Sequence, residues 1–122
     1  MTFNMCTMLY VDDVAANADF FLALGFVEIA RQTIMDFETV TVAPTAEGNA
    51  RLQFFNIDFI RQMSPEVADS KPSILFTVSN IKEMHAKVAA QGLFTSDLQD
   101  MGGKSTFNFQ SPDGSYFAFM EA

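Results

Sequence analysis

The chain has 122 residues, of which 49% are hydrophobic and 13% aromatic, so it is long and apolar enough to form a folded core. Its formal net charge of −8 argues against a surface for nucleic acid or anionic membranes, because phosphate groups are bound by clustered Lys and Arg. No apolar run approaches the roughly 20 residues that a membrane-spanning helix needs.

The N-terminal segment and the cysteine content indicate the cellular compartment. MTFNMCTMLY has neither the basic region nor the long apolar region of a secretory signal. The single cysteine, Cys6, has no partner for an internal disulfide. We therefore expect a cytoplasmic protein.

The first half of the chain predicts a strand, a helix and three further strands. MCTMLYV reads as a buried strand, and Asp12 and Asp13 follow it at a position suited to capping a helix. The apolar residues of AANADFFLALGF recur at helical spacing, and Gly25 is placed to end that helix. Three strand-like segments follow, VEIARQTIM, FETVTVAP and ARLQFFNI, with the turn PTAEGN before the last.

The second half repeats this order. SILFTV reads as a buried strand, and Asn80 and Glu83 have capping-box spacing at the start of the helix IKEMHAKVAAQ. LFTSDLQD and STFNFQ then flank a Gly102-Gly103 turn, and SPDG precedes the strand YFAFM. The repetition predicts one α+β domain over residues 1–122, built of two βαβββ units at about 1–57 and 72–122. Residues 58–71 read as a linker with one short helical turn.

Two segments carry a resemblance to a known family. YVDDVAANADFFLALGF and SPDGSYFAFMEA resemble the corresponding segments of the vicinal oxygen chelate superfamily, which includes glyoxalases, bleomycin-resistance proteins and extradiol dioxygenases. The resemblance covers essentially the whole chain. It implies that the two units form a barrel-like cleft that holds the ligand, with the helices outside. On the last strand, Phe117 and Phe119 should then face helices, while Tyr116, Ala118 and Met120 face the cleft.

The resemblance also locates the positions at which metal-dependent members carry their ligands. In this sequence those positions hold Cys6, Gln53, Ser73 and Ala118. Ala118 has no donor atom, Ser73 is a poor ligand for a divalent ion, and a thiolate and an amide differ in softness. The only histidine, His85, falls in the second helix and is interpreted as a surface or rim residue. We expect no metal site and no cofactor.

Alternation along the four strands extends these positions to a candidate ligand-binding set. The set is apolar and partly aromatic, has a few hydrogen-bonding groups and contains no acidic residue, which is typical of a small-molecule pocket. Within it, Arg51 is suited to anchoring a carboxylate of an acidic ligand. The full set is Cys6, Met8, Tyr10, Arg51, Gln53, Phe55, Ser73, Leu75, Thr77, Tyr116, Ala118 and Met120.

Three functions remain open from the sequence. The first is a metal-free protein that binds a small, partly aromatic molecule, as the resemblance to bleomycin-resistance proteins implies. The second is a lyase or dioxygenase-like enzyme with an atypical metal site or none, although Cys6 has no predicted base beside it and Asp12-Asp13 fit helix capping. The third is a dimeric scaffold with a filled cleft. Open sheet edges predict a homodimer. The expected partners are therefore a small molecule and a second copy of the chain. Nucleic acid and membranes are not expected partners.

Overall fold

The computed structural model describes residues 4–122. The first three residues of the predicted first unit lie outside the described residues. The chain divides into two compact units, of which the first extends to Lys71 and the second is Pro72–Ala122. No helix among the described residues has the length and apolar character needed to cross a membrane.

Unit 1 contains a four-stranded sheet in the order β1-β4-β3-β2. The first strand pairs parallel with the fourth, while the β2–β3 and β3–β4 pairs are antiparallel. Two helices and one turn of 3-10 helix (Pro65–Val67) complete the unit. The elements are β1 (Met5–Val11), α1 (Val14–Ala23), β2 (Val27–Ile34), β3 (Phe37–Ala43), β4 (Ala50–Asn56) and α2 (Ile57–Met63).

Helix α1 covers one face of this sheet. The Asp13 carboxylate accepts a hydrogen bond from the Ala16 backbone N–H at 3.0 Å, which caps the start of the helix as the sequence predicts. Gly25 adopts a positive φ of 106° just beyond its end, a conformation that favours glycine. The Phe21 ring of the helix stacks on Phe54 of β4 at a centroid distance of 5.7 Å, and both side chains are fully buried.

Unit 2 contains a second four-stranded sheet, in the order β5-β8-β7-β6. Its first strand again pairs parallel with its last, and the other pairs are antiparallel. The βαβββ order therefore occurs twice, which confirms the predicted α+β fold. The elements are β5 (Ile74–Val78), α3 (Ile81–Ala89), β6 (Gln99–Met101), β7 (Lys104–Gln110) and β8 (Tyr116–Glu121).

A cluster of phenylalanines fills the covered face of unit 2. Phe109 stacks on both Phe117 and Phe119 of β8, at centroid distances of 5.6 and 5.4 Å. Phe107 packs against the His85 ring of α3 in an edge-to-face contact at 4.8 Å. The prediction that Phe117 and Phe119 lie on the helix-covered face is confirmed, because both are buried in this cluster.

Four local predictions differ from the structure. The linker contains a seven-residue helix, α2, because Asn56 accepts hydrogen bonds from the backbone N–H groups of Asp58 and Phe59 and starts a helix directly after β4. Asn80 makes no side-chain capping bond, so the capping box with Glu83 is wrong. Ser73, the first residue of the predicted strand SILFTV, lies just before β5 and is not part of it. LFTSDLQD contributes only its last residues to β6, apart from an isolated bridge between Thr95 and Phe109.

Candidate functional site

The sheet of unit 1 has one face that α1 does not cover, here called the open face of unit 1. Phe54 points toward α1, so its neighbours Gln53 and Phe55 point to the opposite face. The parallel register pairs Met8 with Gln53, and paired residues share a face. All six predicted site residues of this unit lie on the open face: Cys6, Met8, Tyr10, Arg51, Gln53 and Phe55.

A short polar row runs diagonally across this face. The Cys6 Sγ lies 3.8 Å from the Gln53 Oε1, a weak contact. Gln53 Nε2 donates to the Thr39 Oγ1 at 3.1 Å, and that hydroxyl donates to the Phe54 carbonyl at 2.8 Å. Thr39 lies outside the predicted set, which came from the first and last strands of each unit. The alternation of FETVTVAP places Thr39 and Thr41 on one side and was the signal that could have found them.

Aromatic side chains occupy the end of the open face next to α2. Tyr10 and Phe55 are tilted against each other with centroids 6.4 Å apart. Phe37 of β3 packs against Phe59 of α2 at 5.5 Å. These rings provide an apolar surface at one end of the face, beyond the polar row.

The opposite end of the open face carries Arg51. Its Nη1 donates to the backbone carbonyls of Gly48 and Ala50, both at 2.8 Å, which orients the half-buried guanidinium. No ion pair involves Arg51 in the part of the chain that the structure describes. Arg31, in contrast, lies on the covered side and pairs with Glu28 and Glu38.

Unit 2 also has a face that its helix does not cover, here called the open face of unit 2. Five predicted residues lie there by register with β8: Leu75, Thr77, Tyr116, Ala118 and Met120. The sixth, Ser73, is exposed and lies just before β5. Tyr116 makes an edge contact with Phe94 at 6.1 Å, and Phe94 was not in the predicted set. Nothing in the spacing of Phe94 within LFTSDLQD indicates this contact.

The four positions at which the resemblance places metal ligands, Cys6, Gln53, Ser73 and Ala118, do not fit a divalent ion. Burial raises the pKa of the Cys6 thiol, an effect partly offset by the Arg51 charge, so the thiol is protonated at neutral pH. Gln53 offers one neutral oxygen and Ala118 none. Over residues 4–122 there is no group of three or more His, Cys, Asp or Glu side chains that could hold a metal. The chemistry of these donors gives no reason to place a metal there.

The other residues considered for chemistry have structural contacts. His85 packs on Phe107, its Nε2 lies 2.7 Å from the Ser96 carbonyl, and the residue is half-buried on the covered side of unit 2. Asp13 caps α1, and Asp12 is exposed beside it. None of these three residues belongs to an arrangement of general acid and base.

A depression of about 410 Å³ lies at the start of α3 in unit 2. None of the twelve predicted site residues lines it. It also lacks aromatic lining, which a partly aromatic ligand requires. Its lining residues are Ser79, Asn80, Ile81, Lys82, Glu83 and Glu121.

Comparison with known families gives one match that spans nearly the whole chain. Residues 3–119 match the sequence profile described as the Glyoxalase/Bleomycin resistance protein/Dioxygenase superfamily. No curated protein sequence matches the chain significantly.

Several solved structures share the fold. A hypothetical protein, SA1046, from S. aureus is 21% identical with a TM-score of 0.80, over 100% of this chain and 95% of that one. TnmS3, an antibiotic binding protein from Streptomyces sp. CB03234, is 18% identical with a TM-score of 0.79, over 99% and 96%. A superfamily member from Sphaerobacter thermophilus DSM 20745 is 20% identical with a TM-score of 0.78, over 100% and 98%. At these identities the likeness establishes the fold alone.

Proposed function

The chain belongs to the glyoxalase/bleomycin resistance protein/dioxygenase superfamily, and within that family we propose that it is a metal-free protein that binds a small, partly aromatic molecule. The ligand contacts side chains of an open sheet face. The description of TnmS3 as an antibiotic binding protein is consistent with this class of function.

One observation carries the proposal: apolar side chains are exposed on the sheet faces that the helices do not cover. On unit 1, Met8 is 49% exposed, and on unit 2, Leu75 and Tyr116 are 52% and 61% exposed. Covering these apolar groups with a ligand removes them from water, which lowers the free energy of the complex. Methionine adds a surface that adapts to the shape of a ligand.

The same exposure bears on the two alternative functions. A scaffold whose open sheet faces are filled would bury Met8 in unit 1 and Leu75 and Tyr116 in unit 2, so the exposure of these side chains favours ligand binding over a scaffold. An enzyme needs a nucleophile, an acid–base pair or a metal. The raised pKa of Cys6 and the unsuitable metal positions support binding without chemistry.

We also propose that the protein is cytoplasmic and forms a homodimer. Within unit 1 the edge strands are β1 and β2, and within unit 2 they are β5 and β6. Edge strands present unpaired backbone groups that a second copy is suited to cover. Sedimentation at micromolar concentration tests this part, and a single species of 13.5 kDa would contradict it.

The binding proposal is tested by ligand-induced stabilisation. Gently purified protein is examined by native mass spectrometry for a retained molecule, and a panel of small aromatic compounds is screened by thermal shift. A ligand at 100 times its Kd raises the free energy of unfolding by about 2.7 kcal/mol. We expect hits for the wild-type chain.

A matched pair of variants locates the binding surface. Met8→Lys places a charge on the open face of unit 1, and Met35→Lys makes the same change at the exposed β2–β3 turn. We expect the hits to be lost in Met8→Lys and retained in Met35→Lys. Retention in both variants would remove the open face of unit 1 from the proposal, and a screen without hits would contradict the proposed function.

A further inference from the structure

The open face of unit 1 has an asymmetric distribution of charge. By the strand register it includes Ala30, Gln32 and Ile34 of β2 and Phe37, Thr39 and Thr41 of β3, besides the six predicted residues. Among these side chains Arg51 is the single charged group, and none is acidic. Its positive charge therefore has no neutralising partner on this face.

The guanidinium is both oriented and incompletely used. Nη1 is occupied by the carbonyls of Gly48 and Ala50. The N–H groups of Nε and Nη2 donate to no other group among residues 4–122. These two nitrogens form the edge of the guanidinium fork that matches the two oxygens of a carboxylate. A half-buried, unpaired and pre-oriented arginine is the arrangement expected at an anion-binding position.

The strand geometry also sets the distance between this position and the aromatic end of the face. Arg51 and Phe55 are four residues apart on β4, which corresponds to roughly 13 Å at about 3.3 Å per residue. Cys6 and Tyr10 have the same separation on β1. The half-exposed Met8 and the Gln53 amide lie between these ends.

We infer that the ligand is an elongated aromatic acid, whose carboxylate binds the Nε–Nη2 edge of Arg51 and whose rings lie against Tyr10 and Phe55. This inference rests on the proposed function and specifies the class of molecule bound. The acidic character of the chain as a whole does not oppose it, because the nearest neighbours of Arg51 on the face are the uncharged Cys6 and Gln53.

The test compares an acid with its uncharged isostere. The probes are para-phenylbenzoate and para-phenylbenzamide, titrated calorimetrically into the full chain. We expect the acid to bind wild-type protein about tenfold or more tightly than the amide, the range of a charge-assisted pair. Arg51→Gln should remove this preference without changing the affinity for the amide. Arg51→Lys should keep part of it, since the charge remains while the fork is lost.

Arg31→Gln is the matched control, because it makes the same substitution on the covered side of the same sheet. It should leave the preference for the acid intact. Cys6 supplies an independent reading, since it is the cross-strand partner of Arg51. The acid should slow alkylation of Cys6 by iodoacetamide at concentrations at which the amide does not, and this difference should disappear in Arg51→Gln.

The outcomes separate this inference from the proposed function. Equal affinity for acid and amide in the wild type, or a preference that persists in Arg51→Gln, would overturn the acidic ligand while leaving small-molecule binding in place. Binding of neither probe would also overturn the inference. The proposed function itself fails only when the wider aromatic panel gives no hit.

Discussion

Cys6 and Arg51 are partners across the parallel β1–β4 pair, so a thiol and a guanidinium share the same end of one sheet face. Burial raises the pKa of the thiol, and the positive charge of Arg51 acts in the opposite direction. The rate at which Cys6 is alkylated therefore depends on the positive charge of Arg51, and it can be used to detect that charge.

The first prediction concerns the pH dependence of this thiol. The rate of alkylation by iodoacetamide should rise with a midpoint above the ordinary value of 9.0, because the rate follows the fraction of thiolate, which reaches one half at the raised pKa. Arg51→Gln should move the midpoint higher still, since it removes the charge that lowers the pKa. Arg31→Gln should leave it unchanged, and a midpoint below 9 in wild-type protein would contradict the raised pKa of the partly desolvated thiol.

The raised pKa of Cys6 also makes the free energy of unfolding depend on pH. Because the folded thiol has the higher pKa, the unfolded thiol ionises first as the pH rises, and the free energy of unfolding falls at alkaline pH. The contribution is complete below the pKa of the unfolded thiol and is lost as the pH rises through the folded pKa. Cys6→Ser should remove this part of the alkaline slope in urea unfolding.

The second prediction compares two neighbouring phenylalanines that point to opposite faces of β4. Phe54→Ala should lower the free energy of unfolding by about 3–5 kcal/mol, because Phe54 is fully buried against α1. Phe55→Ala should cost clearly less, since Phe55 is only half-buried on the open face. Urea unfolding followed by circular dichroism measures both. Equal costs would mean that the open face is covered in solution.

The third prediction concerns the β2–β3 turn. Met35 and Asp36 both have positive φ, at 49° and 71°, although neither is glycine. Two consecutive residues of this kind form the turn that favours Asn-Gly. The double change Met35→Asn and Asp36→Gly should therefore stabilise the protein by about 0.5–1 kcal/mol in urea unfolding. Met5→Asn replaces another exposed methionine and should give no gain; a loss of stability in the double variant would contradict the turn geometry.

The fourth prediction concerns the SPDGS turn before β8. The Asp113 carboxylate accepts hydrogen bonds from the Ser111 hydroxyl at 2.5 Å and the Ser115 hydroxyl at 2.9 Å. Asp113→Ala should destabilise the protein by about 1–2 kcal/mol, because both hydroxyls lose their acceptor. Asp113→Asn retains one acceptor oxygen and should recover part of the loss. Identical unfolding curves for the wild type and Asp113→Ala would show that the turn is held by backbone contacts alone.

The fifth prediction concerns metal. Dialysed wild-type protein should bind neither zinc nor nickel stoichiometrically, and EDTA should not change its Tm, because the four positions at which the resemblance places ligands provide a protonated thiol, an amide, a hydroxyl and a methyl group. Calorimetry with each ion measures the stoichiometry. One bound ion per chain would contradict the metal-free proposal.

The sequence predicted the faces of the strands more reliably than the segments between strands. Side chains alternate along the strand YFAFM, so Phe117 and Phe119 share one face whichever strands lie beside it. Both are buried on the face that the helix covers. Asn80 shows the limit of such patterns: its spacing to Glu83 suits a capping box, yet a cap depends on a side-chain rotamer that spacing does not determine.

The linker and the polar row were harder to predict for a different reason. IDFIRQM is a short helix that starts at the Asn56 cap directly after a strand, and its few residues carry little periodic signal. The contact between Gln53 and Thr39 joins residues 14 positions apart through the β3–β4 pairing. Such contacts require the register of the sheet, which the sequence alone left undefined.

The parallel pairing of the first and last strand in each unit has a consequence for synthesis on the ribosome. Met5 pairs with Ala50, so some 45 further residues (50 minus 5) must be synthesised after β1 before its partner strand is available. The β2–β3 hairpin closes through a two-residue turn and needs no distant segment. Closing a long loop costs more conformational entropy than closing a short one, so we expect the hairpin to form first and the β1–β4 pair to complete the sheet. A nascent chain that ends before residue 50 therefore exposes β1 as an unpaired apolar strand and depends on continued elongation to cover it.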